Sequence, residues 1–381
     1  MPDMDSFSIK DLAKIIERDS KDATYKFALL RGTIEIIQEN DNYKSAGEQG
    51  ITFPLGLLVL KWIEYYYPIL SSDSFIPQKY GDSKSRTIAF RPEFERVIEL
   101  CPTTRFPDQL FYDLKNGIKD PDKIQTIKSL VSKIRQTIVK QPMHYLGGAI
   151  NRGGELYNYN NDVKASRTVT ILNLNWIIDT QGTFTIPAEL YHVMQVVGSF
   201  VTGTHSLIFR WAEFTSRLSR EHPVSTSDMI ALLKRDLNER DILQAKNYYA
   251  EILSSGELFC TWSGERISND LHIDHMVPFV AYRNNDLWNL LPARGKINIR
   301  KSDRIPSEVL LKNEIIKERI ILYWERMFEK YPEQFMSEIQ VSLLGRTRFD
   351  HSSWKNISYD HLIGICNHMI EERGFDPWVK V

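Results

Sequence analysis

Between Cys260 and Ser307 the chain gathers two imidazoles, a carboxylate and two amides: His272, Asp274, His275, Asn289 and Asn298. Such groups can hold a metal ion. Around them Arg283, Arg294, Lys296, Arg300, Lys301 and Arg304 stand against Asp286 and Asp303, so residues 283–304 carry a net charge of +4. The whole chain carries −1 at neutral pH. Bulk charge therefore draws no polyanion to the protein, and any attraction must be local. Basic residues beside metal-type ligands are what cleavage of a phosphodiester in a polyanion requires.

The spacing can bring these groups together. Leu271-His272-Ile273-Asp274-His275 alternates apolar and polar residues, so as a strand it sends His272 and Asp274 to one face. His275 would project to the other face unless the strand bends, and Met276-Val277-Pro278 ends regular pairing. The stretch from Leu287 to Leu291 supplies apolar anchors. Lys296 to Lys301 can start a short helix that packs back. A strand–loop–helix of this size can gather Asp274, His275 and Asn298 around one point.

The segment resembles the HNH, or ββα-metal, endonucleases. Their skeleton is Asp-His, then Asn about fourteen residues on, then His or Asn about nine residues later. Asp274-His275, Asn289 and Asn298 are the counterparts. Residues 260–264, 273–278 and 298–307 are most similar to the HNH module of CRISPR effector nucleases, and Leu287-Trp288-Asn289-Leu290 is similar to HNH proteins of bacterial anti-phage systems.

The resemblance implies a metal-dependent DNA endonuclease that leaves 5′-phosphate and 3′-hydroxyl ends. His275 is then the general base, an imidazole being suited to that task near neutral pH. Asp274 and Asn298 bind one divalent cation through oxygen, a donor set that favours Mg²⁺ or Mn²⁺ over zinc. Asn289 holds the loop carrying His275 by backbone hydrogen bonds. His272 stands where the CRISPR enzymes usually carry a carboxylate, and contact with metal, phosphate or Asp274 is open to it. His272, Lys296, Arg300, Lys301 and Arg304 are the expected DNA contacts, Lys301 and Arg304 foremost. Many HNH proteins have His at the third position, so Asn298 implies a weaker, more substrate-dependent metal site. One such centre cuts one strand; a double-strand cut calls for a homodimer, a second nuclease or two encounters. The expected role is bacterial defence against phage or foreign DNA, alone or with a defence-system partner protein. The alternatives are a partner-gated nuclease subunit and a catalytically weak HNH module that only binds DNA.

Other readings of the same residues are weaker. A structural zinc site would need four good ligands, and Cys260-Thr261-Trp262-Ser263 lacks the second cysteine, so no structural zinc is expected. Cys260 reads as a small buried residue and Trp288 as core. Asp108 and Asp113-Leu114-Lys115 suggest a PD-(D/E)xK nuclease only superficially, because the spacing is short and the segment is helical in pattern. His192 and His205 read as core histidines, and Arg346, Arg348 and His351 as surface charge. With no G-x-x-x-x-G-K-[ST] and no G-x-G-x-x-G, a nucleotide cofactor is not expected.

The elements that must position the centre are mostly helices. Apolar residues at three- and four-residue spacing mark helices over 8–19, 24–39, 107–117 and 122–140, the last with Ile124, Ile127, Leu130, Val131, Ile134 and Ile138 on one face. Residues 54–67 read as a buried helix closed by Pro68, since Lys61 and Glu64 interrupt the apolar run too soon for a membrane span. A polar loop over 40–50 precedes it. SRTVTILNLNWIID and GTFTIP read as a small antiparallel hairpin or sheet within 155–186. Helices follow over 187–219, 226–254, 306–331, 333–344 and 358–373. The architecture expected is mainly α with a small β element and an embedded ββα-metal module. Its domains would be a helical recognition or regulatory region over 1–250, the HNH module over 251–310, and C-terminal helices over 311–381. With 42% hydrophobic and 25% charged residues the chain reads as an ordinary globular protein. Three scattered cysteines and an acidic, polar N-terminus point to a reducing, cytoplasmic setting.

Overall fold

Ser8 opens the first helix, α1 (Ile9–Arg18), with a capping box: its hydroxyl accepts from the Asp11 amide and the Asp11 carboxylate accepts from the Ser8 amide. The computed structural model describes residues 7–83, 87–100, 108–154, 156–161, 169–202, 207–218, 224–234, 240–345 and 353–379. The chain is mainly helical with small sheets, and it divides into two compact units, Met1–Leu237 and Asn238–Val381.

In the first unit α2 (Tyr25–Glu39) packs on α3 (Leu55–Leu70). The apolar α3 is buried on nearly every side. Pro68 does not close it. Proline forfeits one backbone hydrogen bond, but that loss falls in the last turn, and the Ser71 amide still reaches the Tyr67 carbonyl. Around this pair lie α4 (Arg91–Leu100), α5 (Asp108–Asn116), α6 (Pro121–Lys140) and α7 (Pro142–Tyr145). The six residues expected on one face of α6 are all buried.

Four antiparallel strands run in the order β1-β2-β4-β3: β1 (Ser45–Gly47), β2 (Gly50–Pro54), β3 (Asn158–Asn160) and β4 (Thr183–Ile186). Two expectations fail here. Residues 174–180 form a helix, α8 (Leu174–Thr180), because the Asn173 side chain caps it through the Trp176 amide and Leu174, Ile177 and Ile178 turn to one buried face. The strands that pair with β4 are β3, inside the β element expected within 155–186, and β2 over 50–54, where the sequence pattern placed the end of a loop at 50 and the start of a helix at 54. Residues 162–168 lie outside the described residues. The unit closes with α9 (Ala188–Thr202), α10 (Leu207–Leu218) and α11 (Thr226–Leu233). His192 is exposed on α9, not core, while His205 lies outside the described residues.

In the second unit α12 (Leu243–Ser255) is separate from α11, although one helix was expected over 226–254; residues 235–239 are not among those described. Then come β5 (Leu271–His275), α13 (Phe279–Tyr282), β6 (Leu290–Arg294), α14 (Gly295–Lys301), β7 (Ile305–Pro306) and α15 (Glu308–Leu311). Three helices complete it, α16 (Glu314–Lys330), α17 (Pro332–Glu338), which continues into a wider π turn over Ile339–Leu344, and α18 (Trp354–Glu371); β8 (Pro377–Trp378) pairs in parallel with β7. Residues 346–352, with Arg346, Arg348 and His351, lie outside the described residues.

One apolar core joins residues 258–311 to α12, α16, α17 and α18. Three of its large side chains bury their polar ends on backbone. Trp324 Nε1–H donates to the Trp288 carbonyl, the Tyr249 hydroxyl to that of Leu290, and the Tyr323 hydroxyl to that of Phe259. Buried indole and phenol groups need such partners, and each bond ties the chemistry-bearing segment to a helix. No helix of the described residues is long and apolar enough to cross a membrane.

Candidate active site

The two strands that carry the centre pair antiparallel, from Leu271 opposite Arg294 to His275 opposite Leu290. Helix α14 leaves β6 without a loop. Gly295 permits this: a Cβ there would come 2.6 Å from Asp270 Oδ1 and 2.7 Å from His272 Nε2. The Gly295 amide donates instead to Asp270 Oδ2 at 3.0 Å, which satisfies one free amide at the start of the helix.

Asp274 lies at the inner part of β5, only 2% exposed. Trp262 Nε1–H donates to Oδ2 at 2.7 Å, and the Lys301 ammonium donates to Oδ1 at 3.0 Å. The same ammonium donates to the His275 carbonyl at 2.7 Å. Burial pushes the Asp274 carboxyl above its ordinary value, with Lys301 and Trp262 acting against it.

His275 is 3% exposed, and its ring is fixed by the loop after α13. Nε2 lies 3.0 Å from Asn285 Oδ1, which also accepts from the Asp241 amide. An oxygen that accepts from a backbone amide leaves Nε2 to be the donor, so the lone pair is on Nδ1. Nδ1 is buried with no hydrogen-bond partner. Burial pushes the imidazole down to about 4, against the hydrogen bond that it donates to Asn285, so at neutral pH the ring is uncharged. The ring is therefore in its neutral form, with an unpartnered lone pair on Nδ1.

Asn289 is fully buried. Its Oδ1 accepts from the Val277 amide at 2.7 Å, and its Nδ2 donates to the carbonyls of Val277 and Asn284. Its own carbonyl accepts from the Met276 amide. The residue thus closes the loop that follows His275. Asn298 is half-buried on α14, one turn before Lys301 and so on the same side of the helix.

These groups suit a hard cation. Carboxylate and amide oxygens are the donors that Mg²⁺ and Mn²⁺ take; the positive charge that a carboxylate this deeply buried requires comes in this structure from Lys301. Among the described residues no group of three or more His, Cys, Asp or Glu gathers as a metal cluster. The pair Asp274 and Asn298 would hold the ion with two protein oxygens and leave its other positions to water or phosphate.

Of the basic residues expected to meet DNA, Lys296 and Arg300 are exposed on α14, and His272 is exposed beside Asp270. Arg304 is half-exposed, and its guanidinium caps α14 by donating to the Lys301 and Arg300 carbonyls. Lys301 corrects the expectation. Its side chain is fully buried on Asp274 and reaches no surface; it pairs with a carboxylate that would otherwise be buried without a counter-charge. Cys260 and Trp288 are buried in the core. Trp262, Asn285 and Asp270 were not singled out by motif spacing. Only Trp262 carried a signal, its place in the lead-in at 260–264.

Residues 260–307 match the model of the family described as HNH endonuclease, which supports an HNH module in the second unit and a nuclease-type enzyme. Residues 5–233, more than half of the chain, match the family described as Domain of unknown function (DUF8808), and the protein belongs to that family. No curated protein and no solved structure matches the chain.

Proposed function

We propose that the protein is a metal-dependent endonuclease that hydrolyses DNA phosphodiester bonds at the β5–β6–α14 centre. The observation that carries this reading is His275 Nδ1: buried, unpartnered and left with its lone pair by Asn285, on the residue next to a buried carboxylate. On this reading Nδ1 takes a proton from water as its oxygen attacks phosphorus, and the bond to the 3′ oxygen breaks to leave 5′-phosphate and 3′-hydroxyl ends. Mg²⁺ or Mn²⁺ held by Asp274 and Asn298 supplies charge stabilisation at the phosphate and the departing oxygen. Lys296 and Arg300, with His272, are the exposed groups that can meet the backbone of the nucleic acid. Asn289 holds the loop and the two strands supply the ββα-metal frame.

The resemblance of 273–278 and 298–307 to CRISPR effector HNH modules, and of 287–290 to anti-phage HNH proteins, supports a role in defence against foreign DNA. The first unit then serves recognition, partner binding or restraint. The net charge of −1 favours a form of this reading in which a partner delivers the DNA or releases the nuclease.

The test is incubation of the full chain with supercoiled plasmid in Mg²⁺ or Mn²⁺, beside His275→Ala and an EDTA control. Nicking or linearisation that is lost in both controls is expected. Cleavage that survives His275→Ala would remove the base from this position.

A further inference from the structure

We infer that Lys301 is the centre's own counter-cation, and that a divalent metal can bind at Asp274 only when the Lys301 ammonium leaves. This rests on the metal-dependent reading above and adds to it a built-in exchange of one cation for another.

The ion pair has no room for both. The ammonium lies 3.0 Å from Asp274 Oδ1 and 2.7 Å from the His275 carbonyl, and the lysine side chain is fully buried. On the other oxygen, Oδ2, the Trp262 indole is a neutral donor and brings no formal charge. Among the described residues Lys301 is therefore the cation in hydrogen-bond contact with this carboxylate. A Mg²⁺ or Mn²⁺ ion bound to Oδ1 at about 2.1 Å would sit within a few ångströms of the ammonium, and like charges that close in a dry site repel strongly. One of them has to go.

The helix that carries Lys301 is built in a way that fits such a change. Asn298, the second oxygen ligand on the proposed reading, lies one turn earlier on the same helix, so α14 presents both the resident cation and a donor for the incoming one. Immediately after Lys301, Ser302 has φ 54 and ψ −128, a left-handed backbone that a residue with a Cβ adopts at a cost. Ser302 and Asp303, just beyond α14, are exposed, whereas Lys301 itself is buried against β5. On this inference a shift of the last turn withdraws the ammonium and breaks its bonds to Asp274 and to the His275 carbonyl. Metal-free protein thus has a neutralised centre, and metal affinity is lowered by the ion pair that must break.

The experiment is Mn²⁺ titration of the full chain without DNA, by calorimetry and by loss of the free-ion electron paramagnetic resonance signal, for wild type, Lys301→Met, Lys301→Arg and Asp274→Asn. Lys301→Met is expected to bind one Mn²⁺ at least tenfold more tightly than wild type. Lys301→Arg, which keeps the charge, is expected to bind no more tightly than wild type, and Asp274→Asn to lose the site. If Lys301→Met gains nothing while Asp274→Asn abolishes binding, the metal site stands and the exchange is wrong. If Asp274→Asn binds as wild type does, or if neither wild type nor Lys301→Met binds, the metal role of Asp274 falls and the exchange falls with it. A second measurement uses wild type alone, in case a variant fails to fold. Lysine acylation mapped by peptide mass spectrometry should find Lys301 protected in EDTA and at least fivefold more modified in saturating Mn²⁺. Equal protection in both would overturn the exchange.

Discussion

Replacing Asn285 by Ala removes the acceptor that fixes the His275 ring. The Nε2–Oδ1 distance is 3.0 Å and the imidazole is 3% exposed, so water does not simply take the place of the lost oxygen. Leaving a buried donor unpaired costs about 1–3 kcal/mol. On the proposed reading that cost is recovered when the ring turns or changes tautomer, and either change takes the lone pair away from the attacking water. With about 1.4 kcal/mol for each factor of ten, cleavage should fall roughly 10- to 100-fold. The assay is single-turnover nicking of supercoiled plasmid in Mg²⁺, together with ¹⁵N–¹H spectra of the histidine ring nitrogens. Asn285→Asp keeps an acceptor and should retain the wild-type ring pattern. The reasoning is refuted if Asn285→Ala nicks at the wild-type rate with unchanged ring nitrogens. A lower melting temperature with an unchanged ring pattern would make Asn285 a packing residue only.

Two further outcomes follow from backbone strain and from charge. Ser302→Gly relieves a left-handed backbone at an exposed position, so the second unit should gain about 0.5–1 kcal/mol in chemical denaturation; a loss of that size would mean the Ser302 side chain has a role of its own. In the first unit burial alone would raise the Glu35 carboxyl, but Arg31 at 2.7 Å, Lys61 at 3.1 Å and the Tyr65 hydroxyl at 2.6 Å more than offset it and hold Glu35 well below its ordinary 4.5. A depressed folded-state value gives stability that is present above about pH 4.5 and lost as pH falls below it. Glu64 in the same cluster is pushed up by burial and acts in the opposite sense, so the informative quantity is the difference between wild type and Glu35→Gln. That difference should shrink steadily below pH 4.5 in denaturation curves followed by tryptophan fluorescence; a difference independent of pH would refute the assignment.

Much of the helical framework was legible because it repeats. The six-residue apolar stripe on α6 and the amphipathic patterns of α1 and α2 reflect a period that each helix carries within itself. Residues 166–179 misled for the opposite reason. Their β-branched residues favour a strand, but the cap from Asn173 and the burial of Leu174, Ile177 and Ile178 against the rest of the unit made 174–180 a helix. The partners of β4 lie more than a hundred residues away in the case of β2, a pairing for which no local pattern exists.

The centre divides along the same line. Sequence alone marked the chemistry-bearing segment, its candidate residues Asp274, His275, Asn289 and Asn298, and the strand and helix of β5 and α14, because close spacing along the chain constrains close spacing in space. The residues of β6 were read only as part of a loop with apolar anchors over 287–291. Tertiary structure decided which charges are available. It turned Lys301 inward onto Asp274 and left Lys296 and Arg300 outside, three neighbours on one short helix with opposite fates. It also brought Trp262 to Asp274 and Asn285 to His275. Residue type cannot distinguish a lysine that meets solvent from one that neutralises a buried carboxylate; that depends on which side of α14 faces β5, and packing of the whole second unit sets it.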